Sequence, residues 1–333
     1  MPFVPRECSR ARCLGTQPAG GLRQPPPLRH GLPSSISLQL PISPETVTRA
    51  VVAMIKGGLG NQLFAYAAAR AYAIRTRREL WLDEVSGFGR DQYGRSYKLD
   101  QFPIAATPAT PRWRLGDPKG LKHKAIRSIN KLLPNPIGAY LAEDPELPET
   151  QLTSFISTRK VVRLNGYWQS EKYFAERAST IRRELQPPPF TDGPDADLEA
   201  ELAATPSVFV HIRRDRYSPR LGSGYYDSSI TSALSMLGGC QFFVFGDDLD
   251  WARQYLDFHG APVRYISDGG DDELRDFRLM AACRHAIVAN SSFSWWAAWL
   301  RLNADKRVWT PNKPGWPLKP AAEWTKVPNR LEY

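Results

Sequence analysis

Apolar positions fall along this chain in short blocks separated by glycine, proline and charge, and the blocks follow two periods. Ala50 to Ile55 is an unbroken apolar run, long enough for one strand buried on both faces. Lys56-Gly57-Gly58-Leu59-Gly60-Asn61-Gln62 interrupts it, and Leu63 to Ile74, rich in Ala, Leu and Tyr, predicts a helix. Strand, glycine turn and helix open an α/β domain. The alternation is plainest after residue 200. Val208 to Val210 and Phe242 to Phe245 predict strands, Asp250 to Leu256 a helix, and Val263 to Ile266 a strand. Asp271 to Arg284, Ala286 to Val288, Phe293 to Leu302 and Arg307 to Trp309 then predict helix, strand, helix and a last strand. Repeated βα units with short links predict parallel sheets with helices on their faces. Ligands of such sheets bind at the carboxyl ends of the strands.

Between these regions, Gly166 to Phe174 leads into a helix ending near Leu185, and the proline-rich Gln186 to Pro194 reads as a linker. The division is therefore a tail over 1–46, one domain over 47–190 and a second over 200–325. The tail carries Pro and Gly clusters and no apolar core of a signal peptide, and is expected either to be disordered or to be upstream sequence swept in by a wrongly assigned start, with the true start near Val47 and order beginning at Arg49.

Composition narrows the picture in three ways. Of the 333 residues, 42% are hydrophobic and 11% aromatic, ample for a packed core. The ten Trp suit sugar-facing walls as well as core packing. The formal charge is +10, of which residues 1–49 contribute six Arg against Glu7 and Glu45. The remaining excess suits an anionic ligand or a membrane surface. It calls for no nucleic acid, since no Cys/His finger spacing, basic helix or RNA-binding aromatic signature accompanies it. Cys8 and Cys13 lie in the tail and Cys240 and Cys283 in predicted core elements, without metal-ligand spacing or a disulfide framework. No run approaches the roughly 20 apolar residues of a membrane span. The expectation is a cytoplasmic protein, with peripheral contact at the inner membrane face as its membrane option.

The chemistry sits at strand ends. The Gly57 to Gln62 turn lets a ligand approach the backbone at a helix N-terminus, although it is neither a Walker loop nor a dinucleotide fingerprint. His211-Ile212-Arg213-Arg214-Asp215-Arg216 sets three guanidinium groups at a strand end, suited to a diphosphate or to a surface salt-bridge cluster. Asp247 and Asp248 are adjacent, so on a strand they point to opposite faces; a helix-capping role for Asp248 or Asp250 is favoured over metal. Asn290-Ser291-Ser292-Phe293 ends a strand and starts a helix, a second anion-binding arrangement or a plain Ser cap.

Taken in order, Gly57-Gly-Leu-Gly-Asn-Gln62, Tyr167-Trp-Gln-Ser-Glu-Lys-Tyr-Phe174, His211-Ile-Arg-Arg214, Phe245-Gly-Asp-Asp248 and Asn290-Ser-Ser-Phe-Ser-Trp-Trp-Ala-Ala-Trp-Leu300 resemble the α-1,2-fucosyltransferases, glycosyltransferase family 11. The resemblance covers roughly residues 50 to 315. It implies an α/β fold of the GT-B type, two Rossmann-like lobes facing a central cleft, and inverting, metal-independent transfer with no cofactor. The implied partners are GDP-fucose and a galactoside-terminated glycan whose 2-hydroxyl is the acceptor. It further implies donor-binding roles for Gly58, Asn61, His211, Arg213, Arg214, Asp276, Asn290, Ser291, Ser292 and Phe293, with Asp276 reading guanine and Arg213 holding the diphosphate. The catalytic candidates are Arg213, whose role the resemblance implies, and Asp215, which it does not imply and which enters as a general-base candidate. The family pattern His-x-Arg-Arg-Gly-Asp-Tyr is altered here, with Asp215 at the Gly position and Arg216 at the Asp position.

A general base would help the acceptor hydroxyl attack, and Asp215, Glu171 and Asp83 are the candidates. The alternatives are a transferase for another hydroxyl or sugar, and a sugar-nucleotide-binding protein without catalysis. The proline-rich segment 100–150, with a basic stretch from Lys119 to Lys131, reads either as a solvated helix between loops or as acceptor-binding loops.

Overall fold

The computed structural model describes residues 49–89, 91–116, 120–131, 139–144, 150–214, 220–267, 272–312, 316–328 and 331–332. The tail expected to be disordered and Asp215 with Arg216 lie outside these residues.

The first lobe grows from β1 (Ala50–Met54), whose five residues are all buried. The glycine turn feeds α1 (Leu59–Thr76), an Ala-rich helix buried along most of its length because it is covered on more than one side. β2 (Glu79–Asp83), β3 (Thr107–Pro108), α2 (Leu121–Lys131), β4 (Tyr140–Ala142), α3 (Thr150–Thr153) and β5 (Val161–Asn165) follow. The strands form one parallel sheet in the order β3-β2-β1-β5-β4. Of the basic stretch, Leu121–Lys131 is helical, as one of its two readings had it, with Leu121 and Ile129 exposed; α2 is thus a basic helix, contrary to the expectation from charge.

α4 (Ala178–Leu185) leads through the prolines to α5 (Gly193–Ala204). The second lobe comprises β6 (Ser207–Ile212), β7 (Arg220–Leu221), α6 (Ser223–Leu237), β8 (Gln241–Gly246), α7 (Leu249–Tyr255), β9 (Val263–Tyr265) and α8 (Glu273–Ala282). β10 (His285–Ile287), α9 (Ser292–Leu300), β11 (Val308–Asn312), β12 (Thr325–Pro328) and β13 (Leu331–Glu332) complete it. Its sheet is parallel, ordered β12-β11-β10-β6-β8-β9, and β13 pairs antiparallel with β7. The elements read from apolar runs all appear. Among the elements not anticipated are β2, β5, α5, α6 and β12; α6 interleaves its buried face with Ser and Thr, and β12 has only a single buried residue.

The two lobes share a core. Trp295, Trp296 and Trp299 of α9 are 0–1% exposed and pack with Phe64 of α1 and with Phe174, ring centroids lying 4.6–6.4 Å apart. The Trp299 indole N–H donates to Glu171 Oε1 at 2.8 Å, and the Arg182 guanidinium lies 3.7 Å from the Trp299 ring. This tryptophan block is core rather than a sugar-facing wall. Large buried aromatics dominate packing energetics, so the relative placement of the lobes is set here. Cys240 and Cys283 are buried and unbridged. No described helix is long and apolar enough to cross a membrane.

Candidate active site

A cleft of about 510 Å³ opens where the strand ends of both lobes meet. From the first lobe come Gly57 to Gln62, Tyr93 to Ser96 and Lys98; from the second come His211, Arg213, Phe245 to Asp247, Ser267, Asp276 and Ser291 to Phe293.

The glycine turn is built for close approach. Gly57 has φ +77°, and Gly58 caps α1 with no side-chain hydrogen bond. At Gly60 an added Cβ would lie 2.5 Å from the Phe293 amide nitrogen, so α1 and α9 meet backbone to backbone. Beside that contact Asn61 Oδ1 accepts from Ser292 Oγ at 2.8 Å and from Gln169 Nε2 at 2.7 Å. Gln62, 1% exposed, donates to the carbonyls of Gly57 and Ser96 and accepts from the Lys98 amide. One amide side chain therefore fixes the glycine turn to the 96–98 segment. Lys98 pairs with Glu273 across the lobes at 2.5 Å.

At the opposite wall, β6 delivers alternate side chains to opposite faces. Arg213 enters the cleft and pairs with Asp247 at 3.0 Å. Arg214 turns the other way: it is 8% exposed, lies 3.9 Å from the Trp251 ring, donates to the Leu221 carbonyl and approaches Asp248 at 3.5 Å. Of the three arginines in the motif, the structure thus places one in the cleft and one in the packing of α7; Arg216 is outside the described residues. Asp248 caps α7, accepting from the Trp251 amide at 3.1 Å, the capping role anticipated for it.

His211 is 5% exposed, its ring 5.8 Å from that of Phe293, and its Nδ1 has no hydrogen-bond partner among the described residues. Burial, with the nearby Arg213 charge second, pushes its pKa down to about 3. The ring is therefore neutral and can exchange a hydrogen bond with a ligand without adding charge. Gly246, with φ +143°, runs so close to the Ile212 carbonyl that only glycine fits. Its amide donates to Ser267 Oγ, which in turn donates to Asp276. Asp276 also approaches Arg275 at 3.4 Å. A carboxylate at the cleft end of α8 has two acceptor oxygens, with lone pairs beyond those used by Ser267 and Arg275 for a pair of ligand N–H groups.

Ser291 caps α9, accepting from the Phe293 amide. Asn290 does not join the cleft. It is 6% exposed and faces a separate cavity of about 290 Å³ with Trp316 and Lys319, its Oδ1 without a hydrogen-bond partner among the described residues. Asn290 and Ser291 are neighbours in the short link between β10 and α9, yet they line different cavities. Eight of the anticipated donor residues therefore converge, and Arg214 and Asn290 do not.

Two base candidates are absorbed by structure. Asp83 is fully buried and accepts from the amides of Ser86 and Leu115. Glu171 accepts the Trp299 indole N–H. Asp215 lies outside the described residues. Sequence reasoning missed Arg95, Lys98, Ser267 and Glu273. Only Ser267 carried a usable signal, since it follows the β9 strand at its carboxyl end; the others come from loops or from the flank of a helix. Among the described residues no group of three or more His, Cys, Asp or Glu could hold a metal ion.

The family model described as glycosyl transferase family 11 matches residues 128–325. The chain belongs to that family. Its relatives in Escherichia coli include an alpha-1,2-colitosyltransferase, 31% identical over 75% of this chain and 87% of that one. They also include the O-antigen biosynthesis glycosyltransferase WbnK, 30% identical over 78% and 93%. The solved structure of a mutant of Arabidopsis thaliana FUT1 in complex with GDP superposes with a TM-score of 0.50 at 15% identity. That match covers 85% of this chain and 73% of the other, and is a likeness of fold. Two parallel α/β sheets facing one cleft make this family 11 glycosyltransferase a GT-B protein, as its sequence resemblance implied.

Proposed function

We propose that this glycosyltransferase moves L-fucose from GDP-fucose to the 2-hydroxyl of a terminal β-galactoside, with inversion at the anomeric carbon. The observation that carries the reading is the meeting in one cleft of a base-reading carboxylate, Asp276, and an anion-binding set made of the glycine turn, Asn61, Arg213 and the α9 N-terminus. That set suits the two ends of a nucleotide diphosphate. The α-1,2 linkage is supported by the names of relatives, among them galactoside alpha-(1,2)-fucosyltransferases 33% identical over 28% of this chain.

In this reading the second lobe, over 200–325, holds the donor and the first, over 47–190, faces the acceptor. Guanine lies against Asp276, and the diphosphate lies between the Arg213 guanidinium and the amides at the start of α9. As the glycosidic bond breaks, negative charge grows on the leaving phosphate oxygens. A guanidinium already held by Asp247 stabilises that charge without reorganising. The neutral His211 offers a hydrogen bond beside the nucleotide without a second positive charge. Holding donor and acceptor in line lowers the barrier further. With Asp83 and Glu171 committed elsewhere, Asp215 stays as the base among the residues considered.

The first test is acceptor-dependent GDP release from GDP-fucose over a panel of β-galactosides, with linkage analysis of the product, with and without EDTA. Fucose on the 2-hydroxyl and rates unchanged by EDTA are expected. GDP binding with no transfer to any acceptor would favour a sugar-nucleotide-binding protein instead. A second reading, transfer of colitose, is favoured by the colitosyltransferase relative, and the same assay with GDP-colitose separates the two.

A further inference from the structure

The proposed donor carries two negative charges on its diphosphate, and among the described residues the cleft offers three cations to meet them: Arg95, Lys98 and Arg213. They are not equally available. Lys98 is neutralised by Glu273 at 2.5 Å, and Arg213 is shared with Asp247 at 3.0 Å. Arg95 has the loosest pairing of the three. Its carboxylate neighbour, Asp91, stands 3.9 Å away and already accepts the backbone amides of Tyr93 and Arg95.

The position of Arg95 is built rather than incidental. Its guanidinium lies 4.5 Å from the Tyr93 ring, and its loop is tied to the glycine turn through Gln62, which binds the Ser96 carbonyl and the Lys98 amide. The nearest atom to a Cβ added at Gly58 is Arg95 Nε, at 4.0 Å. The guanidinium therefore hangs over the part of the turn where a diphosphate would approach the backbone, and the missing side chain at Gly58 leaves that space open.

We propose that Arg95 is a second diphosphate-binding residue, supplying from the first lobe the charge that Arg213 supplies from the second. The two guanidinium groups then face the diphosphate from opposite walls, and donor binding engages both lobes. This rests on the donor reading above. Neither the glycine motif nor the His-x-Arg-Arg motif contains Arg95; it reaches the cleft only because Gln62 folds the loop there.

The test is titration of GDP and, by ligand-observed NMR, of guanosine against wild type, Arg95→Gln and Arg95→Lys. A charge-assisted contact is expected to show as a loss of GDP affinity of about 10- to 100-fold in Arg95→Gln, with partial recovery in Arg95→Lys. Guanosine affinity should stay within about threefold, since it lacks the phosphates. GDP affinity unchanged in Arg95→Gln, or equal loss for GDP and guanosine, would overturn the role of Arg95. Failure of wild type itself to bind GDP would instead overturn the donor reading, and the Arg95 assignment with it.

Discussion

Asn61 of the first lobe and Ser292 of the second are joined by a 2.8 Å hydrogen bond in which the Ser hydroxyl donates to the amide oxygen. The same oxygen accepts from Gln169, so the side chain is held from two directions at the mouth of the cleft. Asn61→Asp keeps an acceptor oxygen for Ser292 and Gln169 and brings a negative charge to where an anion is proposed to bind. We expect that variant to fold with near-normal stability and to lose at least about tenfold in donor affinity. Asn61→Ala should cost about 1 kcal/mol of stability as well. Urea unfolding beside GDP titration separates the two effects, and unchanged donor affinity in Asn61→Asp would remove the residue from the site.

Arg213 and Arg214 differ in consequence although they are neighbours. Arg213→Gln removes the cleft guanidinium, and turnover is expected to fall about 100-fold or more with little change in melting temperature. Arg214→Gln removes the contact with Trp251 and the bond to the Leu221 carbonyl, and about 2 kcal/mol of stability should go with them. Kinetics and thermal unfolding of the pair check this, and equal kinetic losses at matched stability would contradict the assignment of opposite faces.

The pH dependence of stability follows from His211. Its folded pKa is pushed down to about 3, against an ordinary value of about 6.5 in an unfolded chain. Between those values the unfolded state binds a proton that the folded state does not. The stability at stake is therefore intact above about pH 6.5 and declines as pH falls toward 3, by about 1.4 kcal/mol per pH unit. The stability of wild type relative to His211→Asn should drop by about 1 kcal/mol between pH 7.5 and pH 5.5. A difference that does not move with pH would mean that the imidazolium is tolerated in place.

Asp276 should decide the choice of base. Asp276→Asn keeps the shape but offers one acceptor oxygen and an N–H in place of two acceptors. A GDP preference over ADP is expected to shrink by about 10- to 100-fold, with turnover of the residual bound donor less affected. Competition between the two nucleotides measures the ratio, and an unchanged preference would place base reading elsewhere.

Much of this was legible in the chain because the signal is local. A five-residue run buried on both faces, as in β1, has no polar alternation to obscure it, and the turn from Gly57 to Gln62 announces itself by composition. What was not legible depends on pairing between residues far apart in the chain, from 34 to 128 positions in these cases. Arg213 and Arg214 are indistinguishable as letters; only the β6 register and Trp251 separate them. Asn290 and Ser291 part in the link between β10 and α9, where no pattern of letters shows it. Glu171 looked available for chemistry until Trp299, 128 residues away, was placed against it. Arg95 belongs to no motif and reaches the cleft because buried Gln62 binds its loop.

Gly58 and Gly60 are two residues apart in one turn, and substitution by alanine should separate two uses of glycine. Gly60 faces the backbone of Ser292 and Phe293, where an added Cβ would lie 2.5 Å from the Phe293 nitrogen. Backbone cannot step aside as a side-chain tip can, so Gly60→Ala should force α1 and α9 apart and cost about 1–3 kcal/mol. Because that contact borders the Asn61–Ser292 bond, donor affinity should fall with it. Gly58 has φ −69°, which alanine adopts freely, and its nearest neighbour is the flexible Arg95 side chain at 4.0 Å. Gly58→Ala should leave stability within about 1 kcal/mol of wild type while weakening GDP binding, since a methyl group would intrude where the diphosphate is proposed to approach the turn. Unfolding and GDP titration of the two variants give the answer. If both lose stability alike, the turn is strained as a whole; if Gly58→Ala binds GDP normally, the diphosphate does not approach that face of the turn.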